Sequence, residues 1–263
     1  MALSDALLHQ IARAAQSVTR ARHVTALVGA GMSAESGIPT FRGPQGLWTK
    51  YGEPDMRGYE RFLHDPKAWW EERQSGTNMR EMRGALETAK PNPGHLALAA
   101  LEQLGILRYV ITQNVDNLHR AAGSRNVAEI HGNWTLMRCI GCHARFQREQ
   151  ISLASLPPYC PKCGGVIKGD TVMFGEPIPP DVLQICQTQA LSSDCMLILG
   201  TSGVVYPAAS MPGLARRTNR ALLIEINPEE SALSGECDVV IRAPTGEALP
   251  VLLEQVRALQ AGR

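Results

Sequence analysis

The sequence predicts an open α/β fold, a doubly wound parallel sheet with a second, smaller unit inserted into it. Three observations predict it. Apolar, β-rich runs of strand length recur along the 263-residue chain, at 23–31, 108–114, 127–132, 195–202, 221–227 and 237–243. Most are continuously apolar rather than alternating, as strands covered on both faces are. Helical patterns lie between several of them, at 93–105, 179–191, 207–218 and 246–260, and strands alternating with helices build a parallel sheet. Two stretches then break the alternation. Residues 44–92 are polar, contain Trp and Arg, and read as a helical insertion; residues 133–170 hold two cysteine pairs and few apolar periods. The expected division is a discontinuous large domain (1–43, 93–132 and 171–263) and a small domain (44–92 and 133–170).

Composition narrows the function classes. Hydrophobic residues make up 44% of the chain, enough for a buried core. With 26 basic and 25 acidic side chains the formal net charge is +1, so no global field recruits nucleic acid or an anionic membrane. No apolar run approaches the roughly 20 residues that span a bilayer. The first residues lack a basic n-region, and Asp5, His9, Gln10 and Arg13 interrupt their apolar positions, so they read as an amphipathic helix capped at Ser4 or Asp5 rather than as a signal peptide. Four of the seven cysteines form C-x-x-C pairs, which in an unsignalled chain points to metal rather than disulfides. The expectation is a soluble, cytoplasmic protein with neither nucleic acid nor membrane as partner.

GAGMSA at 29–34 follows the first strand and fits G-x-G-x-x-G/A. Such glycines permit a tight turn and let the backbone approach a pyrophosphate at a helix N-terminus. The continuation departs from a hydride-transfer dehydrogenase. SGIPTFRG (36–43) puts glycine and proline where a long helix should run, and no acidic residue ends a second strand about 20 residues on. The loop leads instead into a Phe-Arg segment suited to folding over a ligand.

Cys139 and Cys142 are separated from Cys160 and Cys163 by 17 residues, within the spacing of a zinc ribbon. Four thiolates satisfy tetrahedral zinc completely, so such an ion staples a module and does no chemistry. Cys186, Cys195 and Cys237 lie in apolar contexts and read as packing.

Polar residues gather just past the strands. Gln113, Asn114 and Asp116 follow RYVIT, and in a doubly wound sheet strand C-termini face the ligand crevice. Amides and a carboxylate there suit a carboxamide; a helix cap accounts for Asp116 but not for the cluster. His131 follows the short strand VAEI, a place open both to a structural histidine and to a base. Gly200, Thr201 and Ser202 end CMLIL and offer donors to phosphate or ribose. Asn227 ends ALLIEI, where it suits either a nucleoside contact or an Asn-Pro turn.

Together GAGMSAESGIPTFRG, GLW, PNPGH, TQNVDNLH, HGN, the cysteine pairs, VMFGEPIP, GTSGVVYPAA and IEINPEE resemble, in order and over nearly the whole chain, the sirtuin (Sir2) family. The resemblance implies a Rossmann-like domain and a small zinc-ribbon-containing domain, with NAD and an acyl-lysine protein or peptide meeting between them. Carried over by motif, Gly29, Ala30, Gly31, Phe41 and Arg42 hold the NAD phosphates and ribose, and Gln113, Asn114 and Asp116 line the nicotinamide pocket. Gly200, Thr201, Ser202, Asn227 and the main chain of Thr245 hold the adenosine half. Val172, Phe174, Gly175 and Glu176 on one side, and Gly203 and Val204 on the other, pair with the peptide as added strand edges.

The activity so implied is NAD-dependent protein-lysine deacylation, most simply deacetylation, giving lysine, nicotinamide and O-acyl-ADP-ribose. The acyl oxygen attacks the ribose C1′ carbon as nicotinamide leaves, and His131 then deprotonates a ribose hydroxyl. Two other readings share the scaffold, an ADP-ribosyltransferase and a non-catalytic NAD or ADP-ribose sensor. An intact His131 with Asn114 and Asp116 favours deacylation, because neither alternative needs the whole set. Thr40 stands where many members carry aspartate, and Val115 where isoleucine is common. Members that take succinyl or malonyl lysine carry a Tyr-x-x-Arg pair, which the stretch between Trp48 and Pro91 lacks; Arg73 and Arg80 are its candidate substitutes.

Overall fold

A computed structural model describes residues 4–43, 46–75 and 80–262, with the side chains of Arg80 and Glu81 outside that description. Six strands form one parallel sheet in the order β3-β2-β1-β7-β8-β9. They are β1 (Val24–Val28), β2 (Leu107–Thr112), β3 (Val127–Glu129), β7 (Cys195–Leu199), β8 (Leu222–Ile226) and β9 (Val239–Ile241). The other three, β4 (Leu136–Cys139), β5 (Arg145–Gln147) and β6 (Ile167–Gly169), make a separate antiparallel sheet, ordered β5-β4-β6.

Alternation within the strands distributes the core over two faces. Val24, Ala26 and Val28 of β1, with Leu197 and Leu199 of β7, pack beneath α1 (Asp5–Arg20), α7 (Pro93–Gln103) and α11 (Thr245–Ala261). Leu27, Met196 and Ile198 point the other way, onto α9 (Pro180–Ser192) and α10 (Met211–Asn219). Burial on both faces is what the continuous apolar runs require. In α1 the buried Ile11, Ala14, Ala15 and Val18 follow helical spacing, and the Ser4 hydroxyl accepts from the Leu7 N–H. α7 begins with Asn92 as its cap, Pro93 in the first turn and a reciprocal hydrogen bond between the Asn92 N–H and His95 Nδ1.

The first polar stretch forms four helices among its described residues, α3 (Leu47–Tyr51), α4 (Gly58–His64), α5 (Pro66–Ser75) and α6 (Arg80–Thr88), joined by short non-helical segments. It docks in two directions. Trp70 of α5 joins Met137, Cys139, Phe146 and Ile167 in the core of the small sheet, and its indole N–H donates to the Ile167 carbonyl at 3.0 Å. Met82 of α6 packs instead on Ile38 and on Leu118 of α8 (Leu118–Ala121). The insertion therefore spans from the small sheet to Ile38 and α8 of the larger unit. No helix among the described residues is long and apolar enough to cross a membrane.

Candidate active site

The sheet order reverses between β1 and β7, because the chain winds outward from β1 to β3 and then returns to place β7 on the opposite side. Ligand crevices form at such points, outside the strand C-termini. Here the two facing loops interlock. The Gly31 N–H donates to the Gly200 carbonyl at 2.8 Å. A Cβ on Gly29 or Gly31 would fall within 2.8 Å of that carbonyl oxygen, and one on Gly200 (φ +54°) within 2.5 Å of the Met32 nitrogen. The glycines supply close backbone approach, and Gly200 a left-handed backbone as well. The short α2 (Gly31–Ala34) starts at this contact.

A polar cluster fills the crevice floor. The Asn114 amide donates to the Gly29 carbonyl at 3.0 Å and to the Ser33 hydroxyl at 3.1 Å, and that hydroxyl donates to Asp116 Oδ2 at 2.7 Å. Asp116 Oδ1 accepts from the Leu118 N–H at 2.8 Å, so the carboxylate also closes the turn that leads into α8. Burial raises the Asp116 pKa, and the bonds from Leu118 and Ser33 oppose the rise only in part. Gln113 Nε2 donates to the Thr201 hydroxyl at 2.9 Å across the reversal point. Ser33 is thus a member of the cluster, although the glycine motif that contains it singles out only the glycines.

His131 follows β3, with Nδ1 3.1 Å from the Gln113 carbonyl. A carbonyl only accepts, so Nδ1 carries the proton and Nε2 keeps its lone pair. Burial lowers the His131 pKa, and the Gln113 hydrogen bond offsets only part of this. The ring is therefore neutral near pH 7, as a base must be.

The 172–176 segment runs directly beside His131, with the Val172 N–H donating to the His131 carbonyl at 2.8 Å. Phe174 touches Trp48 (ring centroids 5.8 Å apart), and Trp48 touches Phe41 (5.6 Å). The Arg42 guanidinium lies 4.2 Å from the Trp48 ring centroid. Trp48 therefore joins the Phe-Arg loop to the 172–176 segment. Glu176 turns its carboxylate inward, with its side chain 3% exposed, onto Arg138 and Lys168. On the other edge, Val204 and Tyr206 are exposed, while a Cβ on Gly203 would meet Leu233 at 2.7 Å.

At the far end of the crevice Asn227 Nδ2 donates to the Thr201 carbonyl at 3.1 Å. Thr245 opens α11 with its hydroxyl buried and without a hydrogen-bond partner, and the Glu35 carboxylate accepts from the next N–H, that of Gly246, at 2.7 Å. Glu35 thus complements the positive end of a 17-residue helix.

The sulfur atoms of Cys139, Cys142, Cys160 and Cys163 lie within 4.8 Å of one another. Burial alone would raise the Cys160 pKa, but N–H groups of Lys162 and Cys163 and the neighbouring thiols bring it to about 7. Four thiols brought together as two knuckles fit a tetrahedral thiophilic cation. The remaining cysteines are apolar packing, with burial pushing Cys186, Cys195 and Cys237 up to about 12.

Comparison with known proteins agrees with this geometry. A model of the Sir2 family matches residues 29–207. An NAD-dependent protein deacylase of Thermococcus kodakarensis is 44% identical over 264 residues, covering 96% of this chain and 98% of the relative. An NAD-dependent protein deacetylase of Caldivirga maquilingensis is 42% identical, covering 95% of each. Among solved structures, a Sir2 homologue–NAD complex superposes with a TM-score of 0.78 at 39% identity, over 94% of each chain. A Sir2–p53 peptide–NAD+ complex does so with a TM-score of 0.73 at 31% identity, over 95% of this chain and 97% of that one. With a family model matched over most of its length and relatives aligned nearly end to end, this chain belongs to the Sir2 family.

Proposed function

We propose that the protein is an NAD-dependent protein-lysine deacylase that takes acetyl or another neutral acyl lysine and yields lysine, nicotinamide and O-acyl-ADP-ribose. The observation that carries the reading is the meeting of two devices at the β1/β7 reversal. One is a buried amide–carboxylate cluster, Asn114–Ser33–Asp116, and the other a neutral imidazole, His131, held in one tautomer. A binding module needs the first and has no use for the second. The activities of the deacylases and deacetylases this chain resembles support the same reading.

NAD, when bound, supplies an electrophilic ribose carbon and a nicotinamide leaving group. Gly29, Ala30, Gly31, Phe41 and Arg42 hold its phosphates and adjoining ribose; Gly200, Thr201, Ser202, Asn227 and the Thr245 main chain hold the adenosine half. Gln113, Asn114 and Asp116 orient the carboxamide. His131 Nε2 would accept the proton of the ribose hydroxyl that takes up the acyl group and pass it on to the lysine nitrogen that is released, while the Gln113 carbonyl steadies the imidazolium formed in between. Val172, Phe174 and Gly175, the Glu176 main chain, and Gly203 and Val204 take the peptide as an added strand.

The four cysteines hold one zinc ion, whose closed coordination stiffens a module with a small apolar core. We assign residues 1–43, 93–132 and 171–263 to the NAD-binding domain and 44–92 and 133–170 to the small domain, with α6 bridging the two. A reducing compartment suits the thiol pairs, and we place the protein in the cytoplasm, with neither nucleic acid nor membrane as partner. Mass spectrometry of the products from NAD and a panel of acyl-lysine peptides tests the function. O-acyl-ADP-ribose formed in step with free lysine supports it; ADP-ribosylated protein, or nicotinamide release indifferent to the peptide, refutes it.

A further inference from the structure

A group of charged side chains is buried beneath the 172–176 segment, away from the crevice. Lys168, on β6, is fully buried, and its three N–H bonds meet three acceptors: the Gly169 carbonyl at 2.9 Å, the Thr171 carbonyl at 2.7 Å and Glu176 Oε2 at 2.9 Å. Arg138 stands opposite Lys168 in the β4–β6 ladder. It donates to Glu176 Oε1 at 2.6 Å and to Asp170 Oδ1 at 2.8 Å. Glu176 Oε2 accepts in addition from the Met173 N–H at 2.8 Å, closing the 173–176 turn on itself. Asp170 accepts from Arg145 and from the Asn133 N–H, two residues beyond His131.

Burying ions is a poor way to gain stability, because desolvation consumes most of the attraction and an apolar filling of equal volume does as well. What ions with saturated hydrogen bonds do supply is a single geometry. Here that geometry relates three things. The carbonyls bound by Lys168 belong to the turn leading from the zinc-bearing sheet into 172–176, Glu176 ends that segment, and Asp170 ties the turn to the residues after His131.

We infer that Lys168 is a positioning residue for the acyl-lysine peptide: from the small sheet it clamps Glu176 and so sets the 172–176 edge against His131. The inference rests on the deacylase reading above. Lys168 acts through Glu176 rather than by touching cofactor or peptide. It also gives the zinc-bearing sheet a role in substrate binding beyond holding itself together. Loss of the clamp frees the peptide-binding edge and leaves the glycine loops and the Gln113–Asn114–Asp116 cluster untouched, so the peptide is affected and NAD is not.

The test is steady-state kinetics on the full-length, zinc-loaded protein with NAD and one acetyl-lysine peptide, for wild type, Lys168→Met, Glu176→Gln and the double variant. Each single variant is expected to raise the peptide KM roughly tenfold or more, with NAD KM and zinc content within roughly twofold of wild type. Because both act on one pair, the double variant should be no worse than the worse single one. If Lys168→Met does not fold, Glu176→Gln carries the comparison, since it keeps a bond to the Met173 N–H. A peptide KM that stays at the wild-type level overturns the inference, as does a parallel fall in melting temperature, kcat and affinity for both substrates. Wild-type protein that releases no nicotinamide with any acyl peptide refutes the deacylase reading and the inference with it. Normal wild-type turnover with unchanged KM in the variants refutes the inference alone.

Discussion

His131 Nδ1 lies 3.1 Å from the main-chain oxygen of Gln113, and this contact decides which nitrogen of the ring keeps its lone pair. His131→Ala should abolish deacylation while NAD binding, measured by calorimetry, survives. Burial lowers the His131 pKa from 6.5, and the base is active when neutral. The acidic limb of kcat/KM should therefore fall below pH 6.5, rate being lost as pH drops through the lowered value. An acidic limb at or above 6.5, or near-normal turnover in the alanine variant, would falsify the assignment.

Gly132 has φ +80°, and a Cβ there would stand 2.1 Å from the Asp170 carbonyl oxygen. Gly132→Ala thus meets both a backbone penalty and a clash with main chain that cannot rotate away. A loss of roughly 2–4 kcal/mol is expected from denaturant titration, with activity falling as the 170–172 turn is pushed off the His131 segment. A variant as stable as wild type would contradict the close approach.

Replacing Cys139 or Cys163 by Ser should release the metal and loosen the small sheet. Cys139 belongs to that sheet's core, beside Met137, Phe146 and Ile167. Elemental analysis should find about one zinc per chain in wild type. Chelation should melt the small sheet before the large one, since the latter has its own core on both faces. Substantially less than one zinc, or a metal site that binds water, would exclude the closed four-thiolate site.

His95 and His119 pack ring to ring at 4.9 Å, and three of their four ring nitrogens are buried without a hydrogen-bond partner. Burial brings His95 to about 4; burial and then the His95 charge bring His119 to about 3. Both folded values lie below the unfolded one, so the unfolded chain binds protons first as pH drops. Stability is then fully present above about pH 6.5 and is lost on acidification towards pH 4, by about 1.4 kcal/mol per unit for each ring. His119→Met should flatten the dependence of melting temperature on pH over this window. An unchanged slope would mean that other groups set it.

Acyl choice tests the insertion. No Tyr-x-x-Arg pair lies between Trp48 and Pro91, and Arg73 stacks over Trp69, with its guanidinium carbon 5.1 Å from the ring centroid. A buried succinyl carboxylate without a charged, hydrogen-bonded partner is uncompensated. On one peptide, kcat/KM for acetyl lysine should exceed that for succinyl lysine, and Arg73→Met should leave the ratio unchanged. A succinyl preference lost in Arg73→Met or Arg80→Met would reverse this.

Sequence alone determined the parts of this protein in which a residue's neighbours along the chain decide its role. Continuous apolar runs demanded burial on two faces, Cys139, Cys142, Cys160 and Cys163 declared themselves by spacing, and ordered motifs led to the Sir2 family. Ser4 capping α1 belongs to the same local kind. Tertiary structure decided what depends on approach between distant segments. Gly29 and Gly200 are needed because two loops touch across the sheet reversal, which no spacing reveals. Glu176, legible only as part of a substrate motif, turns inward to Lys168 and Arg138, because a carboxylate's direction is set by where its cations lie. Likewise the proton on His131 is placed by a carbonyl 18 residues away in sequence, since a tautomer is fixed by a partner in space.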